Sequence, residues 1–265
     1  MLALKLCITP LLILAASLAG RRWGSAVSGW IVGLPLTSGP VSLFLILDQG
    51  PGFAQQAAAG TLAGTAAQAC FSVAYFWAAE YAGWPLAVAA GACGFLACAA
   101  VLQALALPSL ALFLIALAAL TIGLAVTPRR EAARLSTIPP VWDIPARMVV
   151  ATTLVLSVTA GAAALGPRLS GIFASFPIFA AVLAVFAHQG QGRAAARLVV
   201  RGLMTGLYGF ACFFATLSLL LTRTSVATAF AAACLAAVLV QGLSLVLIRR
   251  RRLAAMPSAD GEVAS

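Results

Sequence analysis

One histidine, six cysteines and six carboxylates are all that this 265-residue chain offers for acid–base, metal or strongly nucleophilic chemistry. A serine nucleophile would need a base beside it. The lone imidazole, His188, stands near Gln189 and Gln191 at the end of an apolar run and reads as a polar end residue, not a proton relay. Cys7, Cys70, Cys93, Cys98, Cys212 and Cys234 all fall inside apolar runs, with no C-x-x-C pair and no histidine nearby. They read as small packing residues, neither a disulfide framework nor a metal site. Asp48 and Glu80 lie at predicted helix ends, and no carboxylate occupies the middle of an apolar segment. That removes the usual signature of a proton-coupled pump. The chain has no G-x-x-x-x-G-K-[ST] phosphate loop and no H-E-x-x-H. Enzymatic activity is not expected, and no cofactor or metal is called for.

What remains deep in the apolar segments is a set of hydroxyls and amides: Thr37, Ser38, Ser42, Ser175, Gln68, Gln103 and Thr205. Several of these cluster around a motif that occurs twice, S-G-x-x-x-x-x-P, at Ser28–Pro35 and at Ser170–Pro177. Proline removes a backbone donor and clashes with the carbonyl four residues back, so each helix is expected to kink or unwind there. In the first copy the run Gly33-Leu34-Pro35-Leu36-Thr37-Ser38-Gly39-Pro40 holds two glycines and two prolines. Backbone freed at membrane depth is tolerated where protein or a wet cavity satisfies it, and matched interruptions in two halves of a chain point to a binding site. The substrate-binding candidates are therefore Pro35, Thr37, Ser38, Ser175 and Pro177. The alternative reading is a pair of packing kinks. Arg193, Arg197 and Arg201 stack on one helix face and are candidates for anionic headgroups; the simpler explanation is a cytoplasmic topology signal.

The elements that must carry these residues follow from composition. The chain is 63% hydrophobic and 8% charged, with a mean hydropathy of +1.08, far from the roughly one-quarter charged composition of a soluble domain. Nine apolar segments can be read: Leu2–Ala19, Ser28–Leu47, Ala54–Trp77, Pro85–Ala104, Pro108–Val126, Ile144–Ala162, Ser170–His188, Ala195–Leu221 and Ser225–Ile248. Pro108 divides a stretch too long for one crossing. With nine crossings, thirteen of the sixteen Lys and Arg fall on one side, and Lys5, Arg168 and Arg223 on the other. By the positive-inside rule the amino end is then outside and the carboxyl end inside, with Trp23, Trp30, Trp77, Trp84 and Trp142 at or near the cytoplasmic ends. The net charge of +10 marks cytoplasmic loops, not nucleic-acid binding.

A shift of 142 residues aligns the chain with itself. From 24 to 71, thirteen of forty-eight positions are identical, eleven of them not alanine, including Gly24/Gly166, Pro35/Pro177, Gln49-Gly50/Gln191-Gly192 and Cys70-Phe71/Cys212-Phe213. Gly60-x-x-x-Gly64 matches Gly202-x-x-x-Gly206, small-residue pairs that let helices approach closely. Because five helices precede the second copy, it enters the membrane inverted, a plan common among secondary transporters. The amino end ends in small residues like a secretory signal, but its counterpart in the second copy argues that it is retained.

The block 169–221, with S-G-I-F-A-S-F-P-I-F-A followed by a small-residue loop and an R-x-x-x-R helix, resembles the GlpM-type small bacterial membrane proteins. The resemblance implies a fused, inverted double of that unit in a bacterial inner membrane, and carries no catalytic residues. The expected fold is an all-α polytopic membrane helix bundle of about nine transmembrane helices in a 5+4 inverted repeat. It forms one transmembrane domain over 1–248 (repeat one 1–104, linking helix 108–126, cytoplasmic loop 127–143, repeat two 144–248) and a cytoplasmic tail over 249–265. The expected function is a transporter or permease with its site between the second and seventh segments; the alternative is a non-transporting protein that binds lipid or scaffolds a complex. Membrane lipids and a small-molecule substrate are the expected partners, with no nucleic acid.

Overall fold

The computed structural model describes residues 2–35, 38–128, 142–162 and 175–254. Among these the secondary structure is entirely helical: α1 Leu2–Trp23, α2 Ser25–Val32, α3 Ser38–Gln49, α4 Pro51–Tyr81, α5 Trp84–Leu105, α6 Ser109–Val126, α7 Asp143–Ala162, α8 Ile178–Gln191, α9 Arg193–Leu220 and α10 Val226–Ala254. Four helices are long and apolar enough to cross a membrane, at Trp84–Leu105, Ser109–Val126, Arg193–Leu220 and Val226–Ser244. The chain is a helical membrane protein by this composition and length.

Proline and glycine set the boundaries. Pro51 and Pro85 open α4 and α5 in the first turn, where a missing N–H costs nothing. The expected break at Pro108 is present: α5 closes on Ala106 in the left-handed conformation, and Pro108 caps α6. The expected interruption after Ser28 is also real, since α2 stops at Val32 and α3 begins at Ser38. Two tight corners join α3 to α4 and α8 to α9. Each turns on one glycine, Gly50 at φ 82, ψ 168 and Gly192 at φ 85, ψ 176. An L side chain rarely adopts such a φ, so glycine is required at both. The helices that follow begin at Pro51 and Arg193, and the next at Trp84 and Val226, both pairs 142 residues apart. Helix α10 continues past Ile248 through Arg249–Arg252 to Ala254.

Helices α4 and α9 form the centre. Two-thirds of the apolar window of α9 is buried (67%), against 22–28% for α5, α6 and α10. The outer helices present Leu86, Leu96, Leu114, Ile122, Leu235 and Leu243 outward, as a lipid-facing rim requires. With 31 residues, α4 is roughly 45 Å long. It carries Thr61, Thr65 and Ser72 buried, and each hydroxyl donates to the carbonyl four residues earlier, at 2.8–2.9 Å. Self-satisfied hydroxyls of this kind leave little drive to bind water. Gln55 Nε2 near the start of α4 donates to the Ser218 carbonyl near the end of α9 (3.0 Å). At the other end Arg197 of α9 pairs with Glu80 of α4. The two helices therefore run antiparallel.

Close approach is concentrated where α2 crosses α9. A Cβ added to Gly29 would overlap the Val199 carbonyl, and one added to Gly202 the Ala26 carbonyl. A Cβ on Gly33 would lie 2.7 Å from Gly206 Cα. The contact is backbone on backbone, the use expected for small residues one turn apart. Trp30 Nε1 ties the outer side of α2 to Ser244 Oγ of α10 at 3.1 Å.

One buried group stands out as costly. Gln241 of α10 is 5% exposed, and neither its Oε1 nor its Nε2 has a hydrogen-bond partner. A buried amide left unsatisfied costs about 1–3 kcal/mol, so Gln241→Leu is expected to stabilise the protein by about 1–2 kcal/mol. Thermal unfolding in detergent measures this; a lower midpoint would reveal a partner for the amide.

Candidate functional site

The interrupted segments come first, because their backbone sets the depth of the candidate residues. Pro35 closes the turn after α2, and its carbonyl accepts the Gly39 N–H at 2.9 Å. Ser38 begins α3, and its carbonyl accepts the Ser42 hydroxyl at 2.8 Å. Ser175 and Pro177 are both buried, and Pro177 caps α8. Thr37, like the whole of Ser170–Ala174, lies outside the described residues. Each interruption is seated on the other half of the chain. Gly33 packs on Gly206 of α9. Phe176 sits edge-on to Phe71 of α4 and Phe95 of α5, with ring centroids 6.0 and 5.1 Å away.

Among the other deep polar residues, Thr205 donates to the Arg201 carbonyl at 3.0 Å, Gln68 is buried on α4, and Gln103 Oε1 is buried without a partner. All six cysteines are free. Among the described residues, no three His, Cys, Asp or Glu side chains stand close enough to share a metal ion.

The basic residues give the second cluster, which holds the arginine row. Arg193, Arg197 and Arg201 were candidates for headgroups on one helix face. Arg197 is buried instead: it pairs with Glu80 and lies over the Phe76 ring, its Cζ 4.3 Å from the centroid. Arg201 donates to the Leu124 carbonyl (2.9 Å) and to Thr127 Oγ1 (3.0 Å). Arg193 donates to the Glu80 carbonyl (2.8 Å). Arg193 and Arg201 thus bind carboxyl-terminal carbonyls of α4 and α6, where orphan acceptors and the helix dipole favour a cation. Only Arg193 of the three is exposed. Beside them, Tyr75 Oη approaches His188 Nδ1 at 3.5 Å.

A third arrangement at this end was not foreseen, since Asp143 drew no attention in the sequence and Arg147 counted only as a topology signal. Asp143, at the first turn of α7, takes Arg21 of α1 at 3.1 Å and Arg147 of its own helix at 3.0 Å. The Arg147 guanidinium also lies 5.0 Å from the centroid of Phe186 on α8. These residues border a recess of about 20 Å³ lined by Ser17, Gly20, Arg21, Ser25, Ser28, Arg147, Gln191 and apolar side chains of α8 and α9. The one sequence signal was Asp143-x-x-x-Arg147, a spacing that puts opposite charges on one helix face.

A larger, apolar groove of about 310 Å³ runs between α6, α9 and α10, past Ser109, Phe113, Cys212, Thr216, Ala236 and Val240. Neither recess is lined by Pro35, Ser38, Ser175 or Pro177. No family model, curated protein or solved structure matches this chain.

Proposed function

We propose that this chain is a small bacterial inner-membrane transporter, crossing nine times, with its amino end in the periplasm and its carboxyl end in the cytoplasm. Its two halves are a fused, inverted double of a GlpM-type unit, and the substrate site lies where the two interrupted segments meet the opposite half. The observation that carries the reading is the matched pair of corners. Gly50 and Gly192 are 142 residues apart, share an unusual backbone conformation, and release helices that run antiparallel. Equivalent segments of opposite direction are what an inverted repeat requires, and two such halves can exchange conformations to open a site to each side in turn. Seating each interruption on the other half, Gly33 on α9 and Phe176 on α4 and α5, couples any rocking of the halves to the residues beside Pro35 and Pro177. The absence of a carboxylate from the middle of every apolar segment argues for facilitated movement or for coupling to a bound ion, not for a proton relay.

Single cysteines at Ser38 and Ser175 in a cysteine-free background test this. Impermeant thiol reagents are expected to reach at least one of them from both sides of oriented vesicles, in states that compete. If both positions stay sealed from both sides, the transport reading falls.

The apolar groove between α6, α9 and α10 favours a second reading. Its volume of about 310 Å³ reaches the lower end of ligand-sized sites, and it opens towards the lipid-facing rim. A protein that holds an acyl chain there would need no moving centre. Sealed positions 38 and 175, with co-purified lipid lost on Ala236→Phe, would select it.

A further inference from the structure

We propose that the recess between α1, α2, α7 and α8 is a binding site for a single small anion of halide size. Arg147, which lines the recess, is 8% exposed, and its Nε–H has no hydrogen-bond partner. Ser17, 3% exposed on another wall, likewise has an unpartnered hydroxyl. Two residues that line one small space, on the different helices α1 and α7, thus each keep an orphaned polar atom. A guanidinium nitrogen can only donate, and a serine hydroxyl can donate, so together they ask for an acceptor that brings no proton of its own.

The remaining polar neighbours are already committed. Ser28 Oγ donates to the Ser25 carbonyl at 2.8 Å, and Ser25 Oγ donates to Gln191 Oε1 at 3.1 Å. Among the described residues, Asp143 is the one carboxylate against two guanidiniums, Arg21 and Arg147, and it engages both through its own two oxygens. Counting these three residues, one positive charge is left over at the recess. A buried cation with a free donor is costly in a low-dielectric site unless a counter-charge reaches it.

Size selects the class of ligand. A space of about 20 Å³ accommodates one water-sized body, hence chloride or bromide but not a phosphate with its ester arms. The Arg21 side chain, 35% exposed at the rim, gives an anion a charged route in. Gly20 completes the wall: a Cβ there would sit 3.0 Å from Ser28 Cβ, so the space depends on the missing side chain.

The test is a thermal-unfolding titration of the full-length protein in neutral detergent, with sodium chloride exchanged for sodium gluconate at constant ionic strength. A ligand that binds only the folded state raises the midpoint saturably, so chloride and bromide are expected to do so while gluconate does not. Ser17→Ala breaks no existing hydrogen bond and is expected to fold as well as the parent in gluconate. It should need about tenfold more chloride for the same rise, the scale of one lost hydrogen bond to an ion. Arg147→Gln is expected to abolish the response; if that variant fails to fold, the serine variant decides alone.

Equal midpoints in chloride and gluconate would overturn the assignment, pointing to water in the recess. Identical titrations of parent and Ser17→Ala would overturn it too, placing chloride elsewhere, and so would displacement of chloride by inorganic phosphate. The assignment is independent of the transport reading. Sealed cysteines at 38 and 175 with an intact chloride response would remove transport alone.

Discussion

Gly202→Ala is expected to destabilise the protein by about 3 kcal/mol or more, at the upper end of what overpacking costs. The methyl group has nowhere to go: it would overlap the Ala26 carbonyl and crowd the Trp30 nitrogen, and both belong to the backbone of α2. A flexible side chain could turn aside, but a helix can only move as a body. Separating α2 from α9 would also disturb the Gly29–Val199 and Gly33–Gly206 approaches, because all three contacts lie on the same crossing. Gly242→Ala supplies the control. That glycine lies on α10 with nothing within 4 Å of an added Cβ, so alanine there should be neutral or stabilise by up to about 1 kcal/mol through helix propensity. Unfolding by heat or by SDS in mixed micelles compares the two. Similar midpoints for both variants would mean that α2 and α9 are not in backbone contact.

Asp143→Asn is the second large effect, expected to cost about 3–5 kcal/mol, the range for removing one partner of a buried ion pair. The carboxylate is 9% exposed, as is the Arg147 side chain it holds, and it bridges to Arg21 on a different helix. With the charge removed, two guanidiniums face each other across α1 and α7 with no counter-ion among the described residues. The helix ends should part, since Arg21–Asp143 is the polar tie between them. Arg21→Gln, which removes a partly exposed cation and leaves Asp143–Arg147 intact, should cost much less, because exposed pairs contribute little. Unfolding midpoints at one chloride concentration check both. A loss below about 1 kcal/mol for Asp143→Asn would show that water, not burial, sets the strength of this cluster.

What could be read from the sequence, and what could not, divides along physical lines. Apolar runs, prolines and glycines act locally, and they were legible. The break at Pro108 and the split of the second segment between Val32 and Ser38 follow from proline's fixed φ and missing donor, whereas the corners at Gly50 and Gly192 showed in the sequence only as matching repeat positions. The cysteines read as packing residues, yet Cys7, Cys93 and Cys234 are exposed and Cys70, Cys98 and Cys212 only half-buried. The arginines were not legible. Spacing put Arg193, Arg197 and Arg201 on one face of a helix, but a face has no address until its neighbours are known. The ends of α4 and α6 arrive beside that face from 77 to 113 residues away and take the guanidiniums as caps. The Arg21–Asp143–Arg147 cluster escaped notice because its members lie 122 residues apart along the chain. A topology count treats each arginine as a charge on a side of the membrane, without asking what it touches. The GxxxG pair in α9 marked a close approach but did not name α2 as the partner.

The measurement that tests the central claim most directly is the sidedness of the two glycine corners. Gly52 and Gly190 flank them, and an added Cβ at either has open space around it, so Gly52→Cys and Gly190→Cys should leave the fold undisturbed in a cysteine-free background. An inverted repeat puts residue 52 on the periplasmic side and residue 190 on the cytoplasmic side. Impermeant maleimide is then expected to label 52 only in right-side-out vesicles and 190 only in inside-out vesicles. Labelling of both from the same side would contradict the inverted architecture and, with it, the case for a transporter.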